Sequence, residues 1–164
     1  MPEPLVYETH MHTPLCKHAE GEPMAYAEVA EARGLKGIIV TCHCPLPNGI
    51  SSSVRMSPEL FPVYVELVEQ TRERMRSRLD VCLGLESDYL PGLEPWLDKL
   101  HQQADFHYIL GSVHPQIPEY RAAFFRGNWP EFHRIYFGHL AEAAETGLYD
   151  CLAHPDVAKN LGSE

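Results

Sequence analysis

Two short runs, Gly37-Ile38-Ile39-Val40-Thr41 and Val81-Cys82-Leu83-Gly84-Leu85, carry apolar side chains at consecutive positions instead of alternate ones. A strand does this where both of its faces are buried, which is the mark of a parallel sheet covered by helices. Segments of helical period separate such runs. Over residues 23–33, Tyr26, Val29, Ala30 and Arg33 share a face, Pro23 suits the first helical position, and Gly34 suits the position just past the end. Ser57 is placed to cap a helix reaching about residue 78, with Leu60, Tyr64, Leu67, Val68 and Met75 on one stripe and Pro62 in its first turn. A third helix is predicted over 93–103. A fourth opens at Asn128-Trp129-Pro130-Glu131, buries Phe132, Tyr136, Leu140 and Ala143, and stops at Gly147. Further strands are predicted at Leu5-Val6-Tyr7, over 106–113 and over 149–153. This alternation specifies an α/β fold with a mostly parallel sheet, because each parallel return needs a crossover.

At 164 residues the chain is the size of one domain. Its 45% hydrophobic and 22% charged content excludes disorder and a coiled coil. With 13 Lys+Arg against 23 Asp+Glu the net charge is −10, which argues against nucleic acid and anionic membrane as partners. Met1-Pro2-Glu3-Pro4 lacks the positive charge of a secretory leader and no apolar run is long enough to span a bilayer, so a cytoplasmic protein is expected. Five cysteines, an odd number, point to reduced thiols instead of a complete disulfide framework. Ten histidines are the unusual count, and histidine is the commonest metal ligand and general base.

Those histidines are not scattered. In parallel α/β folds the functional residues gather at the carboxyl ends of the strands. The first predicted strand runs into His10 and His12, the second into His43, the third into Glu86, the fourth into His114 and the fifth into His154. Every strand therefore delivers a ligand-grade side chain to one edge. His10 and His12, two apart, share a face of an extended segment and can reach one ion. Glu86, closing an apolar strand, needs a cationic partner to be buried. His18, on the loop leaving the first strand, can fold back over the same edge. Arg55 and Arg121, after the second and fourth strands, lie on the same side, where a guanidinium can hold an anionic ligand in bidentate fashion. Asp156 follows His154 and is placed to orient it, to supply a proton, or to cap a helix. Cys42 and Cys44 alternate about His43 and belong to the core, and the C-x5-R cradle of thiolate phosphatases is missing. His101, His133 and His139 fall in helices and His107 has the opposite parity to His114; these four are read as structural or solvent-facing.

The block Thr9-His10-Met11-His12-Thr13-Pro14-Leu15-Cys16-Lys17-His18-Ala19-Glu20-Gly21 resembles the signature of the polymerase-and-histidinol-phosphatase (PHP) superfamily. The Leu-Cys-x-His-Ala-x-Gly extension and Ser53-Val54-Arg55-Met56 resemble its histidinol-phosphatase branch. Thr41-Cys42-His43, Gly84-Leu85-Glu86, Gly111-Ser112-Val113-His114 and Ala153-His154-Pro155-Asp156 follow in the family's order, so the resemblance covers nearly the whole chain. It implies a distorted (β/α)7 TIM-like barrel holding two or three divalent ions, commonly zinc, iron or manganese. It further implies that His10, His12 and Glu86 bind one ion, that Glu86 bridges to a second held by His114 and His154, and that His18 and His43 bind a third. Glu8 and Cys42 stand where the family often has Asp. Family members also continue through further strands, the last ending in Asp-x-His; against them residues 1–164 read as a single PHP domain, C-terminally short, of about five βα units. A homo-oligomer or partner covering the open barrel edge is the corresponding expectation.

Ions ~3.5–4 Å apart share a hydroxide, lower its pKa toward neutrality and draw charge off phosphoryl oxygens. The expected activity is therefore metal-dependent hydrolysis of a small phosphorylated metabolite, L-histidinol phosphate + water → L-histidinol + phosphate. Glu86 and His154 would stand at the reacting centre and Asp156 as candidate acid. Two other readings stay open: a PHP-type metallophosphoesterase acting on another small ester, and a truncated, non-catalytic metal-binding domain.

Overall fold

The computed structural model describes residues 6–161. Five strands, β1 (Tyr7–Glu8), β2 (Gly37–Val40), β3 (Asp80–Asp88), β4 (Tyr108–Ser112) and β5 (Cys151–Leu152), form one sheet in the order β1-β2-β3-β4-β5, and every pairing is parallel. The helices are α1 (Pro23–Ala32), α2 (Phe61–Met75), α3 (Glu94–His101), α4 (Pro118–Phe124) and α5 (Trp129–Glu145). Sequential parallel strands joined by helices are the form of an incomplete TIM-like barrel. Leu5, in the first predicted strand, lies outside the described residues.

The consecutive apolar runs are buried as their composition requires. Ile38 and Val40 of β2 and Val81, Leu83 and Leu85 of β3 pack with Ala27 and Ala30 of α1, Tyr64, Val68 and Met75 of α2, and Leu97 and Leu100 of α3. The Tyr64 hydroxyl lies 2.7 Å from the carbonyls of both Val40 and Gly84, pinning α2 across the β2–β3 seam. A second core joins Val113, Tyr120 of α4, and Phe132, Tyr136, Leu140 and Ala143 of α5. Asn128 caps α5 by accepting from the Glu131 amide at 3.0 Å, as its sequence suggests.

Three elements differ from the sequence reading. A 3-10 turn, Pro58–Leu60, precedes α2, which starts at Phe61 with Pro62 accommodated in its first turn, and which ends at Met75 instead of near 78. The seven-residue α4 escapes a periodicity reading because one buried side chain, Tyr120, gives no stripe to recognise. Strand β3 continues through Glu86 to Asp88, because these acidic residues keep parallel partners in β4 up to Ser112.

Gly84 lies where β3 is squeezed between its neighbours. A Cβ there would sit 2.8 Å from the methyl carbons of Ile39 and Thr41 and 2.9 Å from the Tyr108 carbonyl oxygen. Gly84→Ala is expected to cost about 1–3 kcal/mol of stability, the usual penalty of overpacking, as read by denaturant unfolding. A neutral result would mean the sheet opens freely at this point.

Candidate metal centre

Glu86 is fully buried, and five imidazoles surround its two oxygens. His10 Nε2 stands 3.2 Å away, His12 Nε2 3.4 Å, His43 Nδ1 3.0 Å, His114 Nε2 3.3 Å and His154 Nε2 3.0 Å. The ring of His18 completes the set, with its centroid 5.2 Å from that of His12 and 4.9 Å from that of His43. The local backbone explains each position. His43 is bridged to Glu86 across the β2–β3 seam, with Cys44 N donating to Glu86 O at 2.8 Å and Glu86 N donating to Cys42 O at 3.0 Å. His10 and His12 follow β1 on an extended segment held by Thr41 N donating to Met11 O at 3.0 Å. His154 takes a positive φ of 25°, a region that costs a non-glycine residue about 1–3 kcal/mol. Bonds from Ala153 N to Gly111 O at 2.7 Å and from Val157 N to His154 O at 3.0 Å hold it there.

The donor set fits divalent cations. A carboxylate offers two oxygens, so hydrogen bonding alone does not account for five imidazoles packed against it. The Nδ1 of His43 lies close to Glu86 without the alignment of a hydrogen bond, and the Nδ1 atoms of His12 and His154 are buried with no partner among the described residues. Separations of 3.0–3.4 Å are also close to the ~3.3 Å between neighbouring ligand atoms on a tetrahedral ion with bonds of about 2.0–2.1 Å. Among the described residues, three groups without sulfur have donor atoms within 4.8 Å of one another: His10/His12/Glu86, His43/Glu86/His114 and His12/His18/His43. The groups overlap: Glu86, with two oxygens, can serve two positions, whereas His12 and His43 each have one lone pair and can serve one of theirs at a time. All six histidines and Glu86 line one pocket of about 370 Å³, walled by Val54, Arg55, Gln116, Ile117 and Val157.

Electrostatics divides the imidazoles. Burial pushes His43 down to about 4 against the pull of Glu86, leaving a neutral, ligand-ready ring. For Glu86, burial favours the protonated form, but the close imidazoles of His10, His114, His154 and His43 outweigh it and hold the carboxyl far below its usual range. His114 goes the other way. Burial would lower it, yet Asp88 and then Glu86 raise it to about 9.

Asp88 is the functional residue that the sequence reading missed. It is buried, its Oδ1 accepts from His114 Nδ1, and Arg55 grips it in bidentate fashion, Nε to Oδ2 at 2.7 Å and Nη2 to Oδ1 at 2.8 Å. A metal-binding histidine held by a carboxylate on its other nitrogen is the usual way such a ring is oriented. The signal was present: Glu86 and Asp88 have the same two-residue spacing as His10 and His12.

Arg55 thus lines the pocket with its guanidinium already committed to Asp88, and its Nη1 donates to Val54 O at 2.8 Å. Arg121 is exposed on α4, its guanidinium 5.6 Å from the Phe125 ring and 5.5 Å from that of Trp129, and it is not among the pocket's walls. Asp156 is exposed and pairs with Lys159 at the surface. Cys42 and Cys44 are buried behind His43. His101 bonds Ser87 Oγ at 2.8 Å and His139 bonds the Tyr120 hydroxyl at 2.7 Å, both away from the pocket.

The His114 shift carries a pH signature. A histidine raised from 6.5 to about 9 contributes stability that is complete below pH 6.5 and lost as pH rises through 9. The chelator-treated chain is therefore expected to lose melting temperature between pH 6.5 and 9, as read by circular dichroism. Added zinc should flatten that fall, because a coordinating imidazole is already neutral. An identical slope with and without zinc would contradict this account.

Comparison with known proteins agrees with the geometry. A protein of Deinococcus radiodurans named "probable histidinol-phosphatase" is 36% identical over 161 residues, covering 94% of this chain and 62% of the relative. The crystal structure of histidinol phosphate phosphatase from Lactococcus lactis, complexed with zinc, L-histidinol and phosphate, superposes with a TM-score of 0.75 at 19% identity. That match covers 94% of this chain and 59% of the crystallised one. The chain thus spans about 60% of the length of these relatives. The PHP domain profile matches residues 8–162, and the chain belongs to the PHP domain family.

Proposed function

We propose that this chain carries the metal-binding half of a histidinol-phosphate phosphatase, hydrolysing L-histidinol phosphate to L-histidinol and phosphate. The observation that carries the reading is the single buried carboxylate, Glu86, ringed by five imidazoles at the carboxyl edge of a parallel sheet. His10, His12, His18, His43, Glu86, His114 and His154 would hold two or three divalent ions. When bound, such ions activate water at neutral pH and neutralise phosphoryl charge.

The chain's own residues define the remainder of the site. Arg55 and Asp88 fix the His114 ring, so that its Nε2 faces the pocket and its proton stays on Nδ1. Arg55, bound to Asp88, acts in this reading as a positioning residue, and the phosphate charge falls to the bound cations. Val54, Ile117 and Val157 give the pocket an apolar wall, and Gln116 offers a neutral amide at the rim. Asp156, the candidate acid, is exposed, pairs with Lys159 and is not among the pocket's walls, which leaves His154 in this reading as a metal ligand.

The test pairs metal content by mass spectrometry with phosphate release from histidinol phosphate. It is run on the 164-residue chain and on a version extended through its reading frame. At least two equivalents of transition metal, with turnover in one of the two proteins that chelation abolishes, is the expected outcome. Less than one equivalent with no turnover in either protein would end the proposal.

A further inference from the structure

A second donor cluster borders the first and contains sulfur. Cys16 sits at the end of the 3-10 turn Pro14–Cys16, and Cys42 immediately precedes His43. Their sulfurs and a ring nitrogen of His12 lie within 4.8 Å of one another. Both thiols are completely buried and both are drawn to Thr13. Cys16 Sγ donates to Thr13 O at 3.1 Å, while Cys42 Sγ lies 3.1 Å from Thr13 Oγ1 and accepts from Thr13 N at 3.4 Å. The independent observation is His12 itself. Its Nε2 faces Glu86 at 3.4 Å, whereas its Nδ1 is buried without a hydrogen-bond partner among the described residues. A buried, unpaired ring nitrogen costs free energy unless something occupies it.

We propose that Cys16, Cys42 and His12 Nδ1 form a soft-metal site, taking a thiophilic divalent cation such as zinc or cadmium. Two sulfurs and one imidazole select such an ion, while the neighbouring set of one carboxylate and several imidazoles suits harder metals as well. Zinc–sulfur bonds of about 2.3 Å and zinc–nitrogen bonds of about 2.0–2.1 Å bring ligand atoms within roughly 3.8 Å of each other, so only a small contraction is needed. Binding is a balanced exchange: the cation forms two metal–sulfur bonds, and the two thiols release their protons to solvent.

A neutral imidazole has one lone pair to give. With Nδ1 on the soft ion, the ring proton resides on Nε2, and His12 donates to Glu86 instead of ligating beside it. Occupation of the sulfur site therefore withdraws one ligand from the cluster. That last consequence rests on the proposed metal cluster; the sulfur site does not.

The probe is cadmium ion, titrated into the reduced, chelator-treated 164-residue chain. A sulfur-to-cadmium charge-transfer absorption should rise to saturation with release of about two protons per ion bound through sulfur. Cys16→Ser and Cys42→Ser should each remove most of it, while Cys151→Ser, which alters an exposed thiol, should leave it unchanged. X-ray absorption on the unaltered cadmium-loaded chain should count two sulfurs and at least one imidazole at the metal, and it decides the question even if a serine variant fails to fold. Only nitrogen and oxygen neighbours, or an absorption that survives both substitutions, would overturn the proposal. Neither readout involves phosphate release, so failure here is distinguishable from failure of the phosphatase reading.

Discussion

Glu86→Gln should empty two metal positions at once. The carboxylate is the common member of two of the donor groups, with one oxygen toward His10, His12 and His43 and the other toward His114 and His154. An amide keeps the shape, loses the charge and turns one oxygen into a donor, which cannot face a cation. Even removal of groups that merely support a metal ligand costs about 10–100-fold in affinity, so loss of a shared ligand should exceed 100-fold. Metal content measured by mass spectrometry after dialysis is expected to fall by about two equivalents, and under the proposed function phosphate release should fall in parallel. Loss of one ion with retention of the other would contradict the shared role of Glu86.

Asp88→Asn should be the most destabilising conservative change in the molecule. Arg55 is 2% exposed, and its guanidinium spends two nitrogens on this one carboxylate. Removing one partner of a buried pair leaves an uncompensated charge and typically costs about 3–5 kcal/mol. The loss is read from denaturant unfolding of the metal-free chain, so that metal affinity does not enter. The pairing of Arg55→Met with Asp88→Leu should restore much of the stability, since apolar replacement of a whole buried pair is often neutral. The double variant should nonetheless bind metal poorly, because nothing then holds the His114 ring. A loss below about 1 kcal/mol for Asp88→Asn would mean that water reaches the pair and that it acts as a surface salt bridge.

The two predictions bear on what a sequence discloses. The consecutive apolar positions of β2 and β3 specified a covered parallel sheet, and strand ends then located His10, His12, His43, Glu86, His114 and His154 in one pocket. Those inferences need only backbone parity and sheet direction, and both are local. Arg55 needed more. Its place after β2 put it at the pocket correctly, but its occupation by Asp88 depends on a partner 33 residues away whose strand runs three residues beyond its apolar core. Arg121 stands apart for a related reason: the short α4 sets it against Phe125 and Trp129, and a helix resting on one buried tyrosine leaves little imprint on the pattern. Burial and pairing of charges are properties of the assembled fold, and they separate a phosphate-binding arginine from one that braces a histidine.

Strands that stand in space as they stand along the chain permit assembly in order of synthesis. Each new βα segment docks on the one made just before it. The candidate ligands, however, come from the ends of successive strands, and His154 follows β5. Metal capture should accordingly come late, after the scaffold has formed, and its rate would then time the final docking step during refolding.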